Sequence, residues 1–271
     1  MKNRLIFASL LALAVQAQAG VCTLFAKDGT CSFSTDTSGG AVIYSNPTNL
    51  SNIGSGVITP FLTDQQNGTE SGVSTDTAAV NLLPLNDKRD NTNTFTNTFT
   101  QNQLGVVTIG GVKYYQFFLD TNEPDSANDR NISIDTIRIW DAKSAALQLL
   151  TNQNVTSLAD VDNLFSSLIY AMGPGNDIVM DGTLFSGSGL GYDLSMLIPI
   201  ADFAGVALDS RIIFGVTYGG AGGSATTADG YEEWAYLAGN GPGTTNVPEP
   251  GSVTLAGLAL GLLAWTRRKA R

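Results

Sequence analysis

The chain has 271 residues, 24 acidic and 14 basic, for a formal net charge of −10, and it contains no histidine. That balance excludes a nucleic-acid partner, because phosphate recognition needs a surplus of cations. The missing imidazole excludes Ser-His-Asp and Cys-His nucleophiles and any His-ligated zinc or iron site, leaving carboxylates, Lys, Tyr or a hard cation for chemistry.

Lys2 and Arg4 precede an apolar run from Leu5 to Val15 broken only by Ser9, and Ala17-Gln18-Ala19 supplies a small-x-small cleavage site. This predicts a signal peptide over residues 1–19, cut by signal peptidase after Ala19; the apolar run is too short to span a bilayer. Bulky Val21 before Cys22 argues against lipid attachment. Cys22 and Cys31 are the only cysteines, and export to an oxidising compartment predicts a disulfide between them. Two basic residues lie in the signal peptide and four in the last 25 residues, so the stretch between holds eight basic and 23 acidic side chains, about −15. Cations, neutral glycans or simple solubility suit such a surface.

Short apolar or alternating runs then recur between Gly, Asn, Asp and Pro breaks, as strands do. Ala41–Ser45 and Gly56–Phe61 are the first. In "TNTFTNTFT", Thr92, Thr94, Thr96, Thr98 and Thr100 alternate, so a strand would align five hydroxyls. Such a row could order water, but Phe95 and Phe99 on the reverse face explain the pattern as an amphipathic strand. Val106–Gly110 and Val112–Asp120 flank Gly111 as a hairpin or one bent strand, with Tyr115, Phe117 and Leu119 on one face.

The densest acidic stretch follows, with Asp120, Asn122, Glu123, Asp125 and Asp129 between strands. Calcium takes six to eight oxygen ligands, and Asp177, Asp181 or Asp193 could complete a shell. The spacing fits no EF-hand, and a solvated polar loop is the competing reading. In "ISIDTIRIW", Ile132 and Ile134 share a face, then Ile137 and Ile139 take it over, which predicts a bulge. Ser157 and Asp160 read as a capping box, and Val161, Leu164, Phe165, Leu168 and Ile169 form a stripe, predicting a helix from about Leu158 to Ala171. Ile212, Phe214, Val216 and Tyr218 share a strand face, and "GGAGG" at 219–223 reads as a turn. "DGYEEWAY" offers Tyr231 and Trp234 for stacking on a sugar ring, although Trp234 also suits a core; Glu232 and Glu233 should face opposite sides of a strand.

The chain closes with the linker "GNGPGTTN" (239–246) and then "VPEPGSVTLAGLALGLLAWTRRKAR" (247–271). Pro248-Glu249-Pro250 precedes the uncharged segment Gly251–Thr266, which reads as a single transmembrane helix, and a basic end containing Arg267 and Arg268 stays cytoplasmic. This tail resembles the PEP-CTERM sorting signal of Gram-negative bacteria. The resemblance implies recognition and cleavage by an exosortase, transient anchorage in the inner membrane, and delivery to the cell surface or beyond, in company with exopolysaccharide. "YYQFFLDTNEP", "GSGLGYDLSMLIP" and "DGYEEW" are similar to other exported proteins carrying this tail, for which no activity transfers.

The sequence thus predicts a mostly β protein. Residues 20–238 form a jelly-roll-like antiparallel β-sandwich with one short helix, followed by the linker and the C-terminal transmembrane helix. The expected function is non-enzymatic adhesion or matrix association, with no required cofactor and calcium as an option. A carbohydrate-binding or polysaccharide-modifying protein, with Trp140, Trp234 and the loop acids at its site, is the alternative.

Overall fold

The computed structural model describes residues 21–25, 29–32, 41–45, 58–65, 67–76, 96–121, 130–143, 156–173, 175–182, 192–220, 227–228 and 231–239. The strands in chain order are β1 (Val21–Leu24), β2 (Thr30–Ser32), β3 (Val42–Ser45), β4 (Ile58–Asp64), β5 (Asn67–Gly68), β6 (Glu70–Val73), β7 (Val106–Ile109), β8 (Val112–Thr121) and β9 (Asn131–Asp141). After the helix α1 (Leu158–Leu164) come β10 (Leu168–Ala171), β11 (Asp177–Asp181), β12 (Leu194–Pro199), β13 (Ile212–Tyr218), β14 (Thr227–Ala228) and β15 (Glu232–Leu237). Two 3-10 turns, Gln101–Gln103 and Ile200–Phe203, complete the described elements.

Two sheets face each other. One runs β1-β11-β9-β13-β6 with β10 beside β9; the other runs β2-β3-β12-β8-β15-β4 with β7 beside β8. All pairings in them are antiparallel except β1 with β11, which is parallel. This is a β-sandwich; its strand order does not establish the jelly-roll path. Alternation accounts for the core: Tyr115, Phe117 and Leu119 of β8 and Ile212, Phe214, Val216 and Tyr218 of β13 all point inward and are buried together. Aromatic rings interlock across the gap, Phe61 and Phe117 of one sheet meeting Phe214 of the other at centroid distances of 5.3 and 5.9 Å. The bulge expected in β9 is present. Thr217 pairs with Thr136 and Tyr218 with Ile134, so Asp135 is the extra residue that keeps Ile132, Ile134, Ile137 and Ile139 all in the core.

β7 and β8 form a hairpin, with Gly110 and Gly111 at φ 58° and 86°, the left-handed conformation that a tight two-residue turn demands. At one edge of the sandwich a Cys22–Cys31 disulfide joins β1 of one sheet to β2 of the other, Cα to Cα 6.1 Å. At the opposite edge β4 packs on β6.

Two expectations are corrected here. The helix ends at Leu164, capped at Phe165, and Leu168–Ala171 is a strand paired with β9. The apparent helical stripe continued by chance into a segment where Ile169 and Tyr170 are buried while Leu168 is 40% exposed. Its start is the expected capping box: the Asp160 amide donates to Ser157 Oγ, and the Ser157 amide donates back to Asp160 Oδ2. Nor do the described threonines form one face of an amphipathic strand, since 96–100 belongs to no strand. Thr96 and Thr98 are buried, and Thr98 donates from both its amide and its hydroxyl to Asp76; Thr92 and Thr94 lie outside the described residues.

Candidate functional site

On the outer face of the β8 sheet, one rung collects acids. Glu233 of β15 lies directly opposite Asp120 of β8, and Thr63 of β4 lies opposite Glu233. Asp193, one residue before β12, flanks Asp120 on the other side, its amide donating to the Leu119 carbonyl at 2.9 Å. Asp193 is fully buried and accepts from the Thr121 amide and hydroxyl at 2.8 and 2.7 Å. Asp120 and Glu233 take part in no hydrogen bond or ion pair within the described residues.

Burial, and then the neighbouring Asp193 and Glu233 charges, raise the Asp120 carboxyl to about 7; burial also raises Glu233. Beside them Tyr192 lies against Phe118, ring centroids 5.0 Å apart, and its hydroxyl is pushed up to about 12 by burial and by these two acids. The rung therefore presents, near neutral pH, a carboxyl that both donates and accepts, a second carboxyl, and a phenol. Those groups suit the hydroxyls of a polyol or sugar.

A second acidic group is internal. Glu232 of β15 pairs with Asp64 of β4, and Glu70 of β6 with Tyr218 of β13. All four are buried. Burial and the charges of Asp64, Glu70 and Glu232 hold the Tyr218 hydroxyl well above its ordinary value, while the Trp234 indole N–H donates to it. Gly72 makes room for the Asp64 carboxylate, since a Cβ there would overlap it.

Of the predicted calcium ligands, Asp120 sits on the outer rung, and Asn122, Glu123, Asp125 and Asp129 lie outside the described residues. Among the described residues no three His, Cys, Asp or Glu side chains are arranged to hold a metal ion. Asp193 does meet Asp120, as the sequence allowed. Asp181 instead pairs with Arg130 at 3.4 Å, and Asp177 lies near Asp135.

The glycan contact through Trp234 is corrected: the ring is fully buried, 4.8 Å from Phe214, and has no face for a sugar. Trp140 is equally buried and donates to Asp162 of α1. Tyr231, half-buried, precedes β15. Glu232 and Glu233 do face opposite sides, one inward and one outward. Tyr192 was not anticipated; "GLGYDLSM" gives no signal that this ring lies beside Asp120, 72 residues upstream.

The described chain ends with Gly239, whose amide donates to the Gln103 carbonyl at 2.7 Å. Beyond it lie the Pro-Glu-Pro, apolar and basic segments, and residues 246–271 match the family of the PEP-CTERM protein-sorting motif. The chain carries a PEP-CTERM sorting motif. A PEP-CTERM tail implies an exported protein, anchored in the membrane for sorting and processed by an exosortase in a Gram-negative bacterium. Pro248, Glu249, Pro250, Arg267 and Arg268 all belong to the matched segment, which is outside the described residues. Among the described residues no helix is long and apolar enough to cross a membrane. No curated protein and no solved structure matches the chain.

Proposed function

We propose that the released protein is a non-enzymatic component of the cell surface or extracellular matrix, associated with exopolysaccharide and needing no resident cofactor. The observation that supports this reading is the PEP-CTERM motif at 246–271, a signal for export and exosortase sorting. A disulfide between sheets and an acidic surface support it, since both suit a durable, soluble export product. A second reading, carbohydrate binding or modification, is favoured by one arrangement: Asp120 and Glu233, both half-buried, opposed on the outer sheet face beside Tyr192.

One experiment separates these readings. The wild-type chain and a Pro248→Ala/Pro250→Ala variant are expressed in an exosortase-containing host and followed through membrane, surface and medium fractions. The expected result is a shortened wild-type product recovered with the exopolysaccharide, and an uncut variant retained in the inner membrane. Recovery of the wild type free of polysaccharide would overturn the matrix reading. New reducing ends on the polysaccharide, lost with Asp120→Asn, would replace it with the second.

A further inference from the structure

The β7–β8 hairpin gathers three of the seven exposed large apolar side chains among the described residues. Val106, Ile109 and Val112 are 51, 45 and 48% exposed, and Ile109 and Val112 sit side by side as cross-strand partners next to the Gly110-Gly111 turn. The next rungs carry Lys113 opposite Thr108 and half-buried Tyr114 opposite Val107. No acidic residue occurs anywhere from 91 to 119, in a chain whose exported part otherwise carries a large excess of acids.

The hairpin's place relative to the tail gives it a partner. Leu104 bridges to Ala238, the Gly105 amide donates to Leu237, and the Gly239 amide donates to Gln103. The chain therefore leaves the sandwich at the root of this hairpin. β7 has four residues, so the tip stands about 13 Å from the root. Residues 240–250, between the last described residue and the apolar segment of the tail, reach at most ~40 Å. A tip on so short a leash lies within reach of the bilayer in which the tail is anchored.

We propose that, while the tail is anchored, the β7–β8 hairpin rests in the interface of the phospholipid bilayer. Ile109 and Val112 enter the acyl boundary, with Lys113 and Tyr114 at headgroup level. Apolar side chains at a tip, backed by a cation and a tyrosine, match the chemistry of that boundary. Anionic headgroups attract Lys113 and repel the acidic body, so the molecule is oriented hairpin-down. The inference rests on membrane-anchored sorting, and its test separates the two.

The full chain is reconstituted into phosphatidylethanolamine/phosphatidylglycerol vesicles with a polarity-sensitive fluorophore on Thr108→Cys. A parallel sample carries it on Thr69→Cys, an exposed site by the far end of β13. Flotation reports the anchor; quenching by bromine-labelled lipids reports the hairpin. The expected result is flotation of both, with several-fold stronger quenching at 108 than at 69, lost when Ile109 and Val112 are replaced by Ser. Those exposed replacements leave the core intact, and an unchanged melting temperature checks this. Failure to float would overturn the anchoring reading and this inference with it. Flotation with equal quenching at both sites would overturn the inference alone, as would shielding of the 108 label by a second copy without vesicles.

Discussion

Asp120 is a carboxyl placed where its charge is unwelcome: half-buried, between Asp193 and Glu233, with Tyr192 alongside. Its folded-state value of about 7 lies above that of an unfolded aspartate, so the folded chain keeps a proton that the unfolded chain releases. The favourable contribution is complete below the unfolded value and is lost as pH rises through the folded one. Raising the pH from 5 to 8 should therefore lower the melting temperature. Asp120→Asn should flatten that dependence and stabilise the protein at pH 8 by on the order of 1–2 kcal/mol, after allowance for solvent screening. Thermal melts of the two chains across that interval check it; an equally steep wild-type and variant profile would show that other acids set the slope.

Among the elements, α1 shows how little a short helix needs. Its apolar side, Leu158, Val161 and Phe165, covers Trp140, Val73 and Ile213 on the outer face of the β9 sheet, and Asp162 ties it down by accepting from Arg138 and from the Trp140 indole. The seat depends on Gly215 of β13. A Cβ there would meet Leu158 and Trp140 at 2.8 Å, and both are buried. Gly215→Ala should destabilise by about 1–3 kcal/mol through overpacking and loosen the helix first. Chemical denaturation and hydrogen exchange over 158–164 measure both effects.

The same region marks how far the sequence could be read. Strands with one face in the core announced themselves through Tyr115, Phe117 and Leu119, or through the phase slip in β9, because a period of two is visible locally. The end of α1 was not visible, since Leu168 and Ile169 fit a helical stripe as well as a strand and only the pairing with β9 decides between them. A core place for Trp234 is legible from its residue type, but its partner is not. Its indole bonds to Tyr218, 16 residues upstream in the other sheet, a contact fixed by topology rather than by neighbours in sequence.

At the scale of the whole molecule, the sandwich is closed differently at its two edges. One has the covalent link between β1 and β2; the other has β4 laid on β6, with Asp64 over Gly72. Cys22→Ala/Cys31→Ala should lower stability by roughly 2–3 kcal/mol in the chain-entropy account of a short loop. Exchange protection should fall in β1 and β2 and persist in β4 and β6; uniform loss across both edges would mean that the link supports the entire fold. The parallel seat of β1 has a further consequence for assembly during secretion. Cys22 and Cys31 lie nine positions apart, whereas β1 docks on β11 by aligning Val21 with Asp177. A polypeptide threaded across the membrane from its amino end presents both thiols long before the strand that will receive them. Oxidation can therefore be finished on a nascent segment, ahead of the long-range pairing that seats β1 on β11. The cross-link can then be an early commitment of the translocating chain, open to it before there is a sandwich to close.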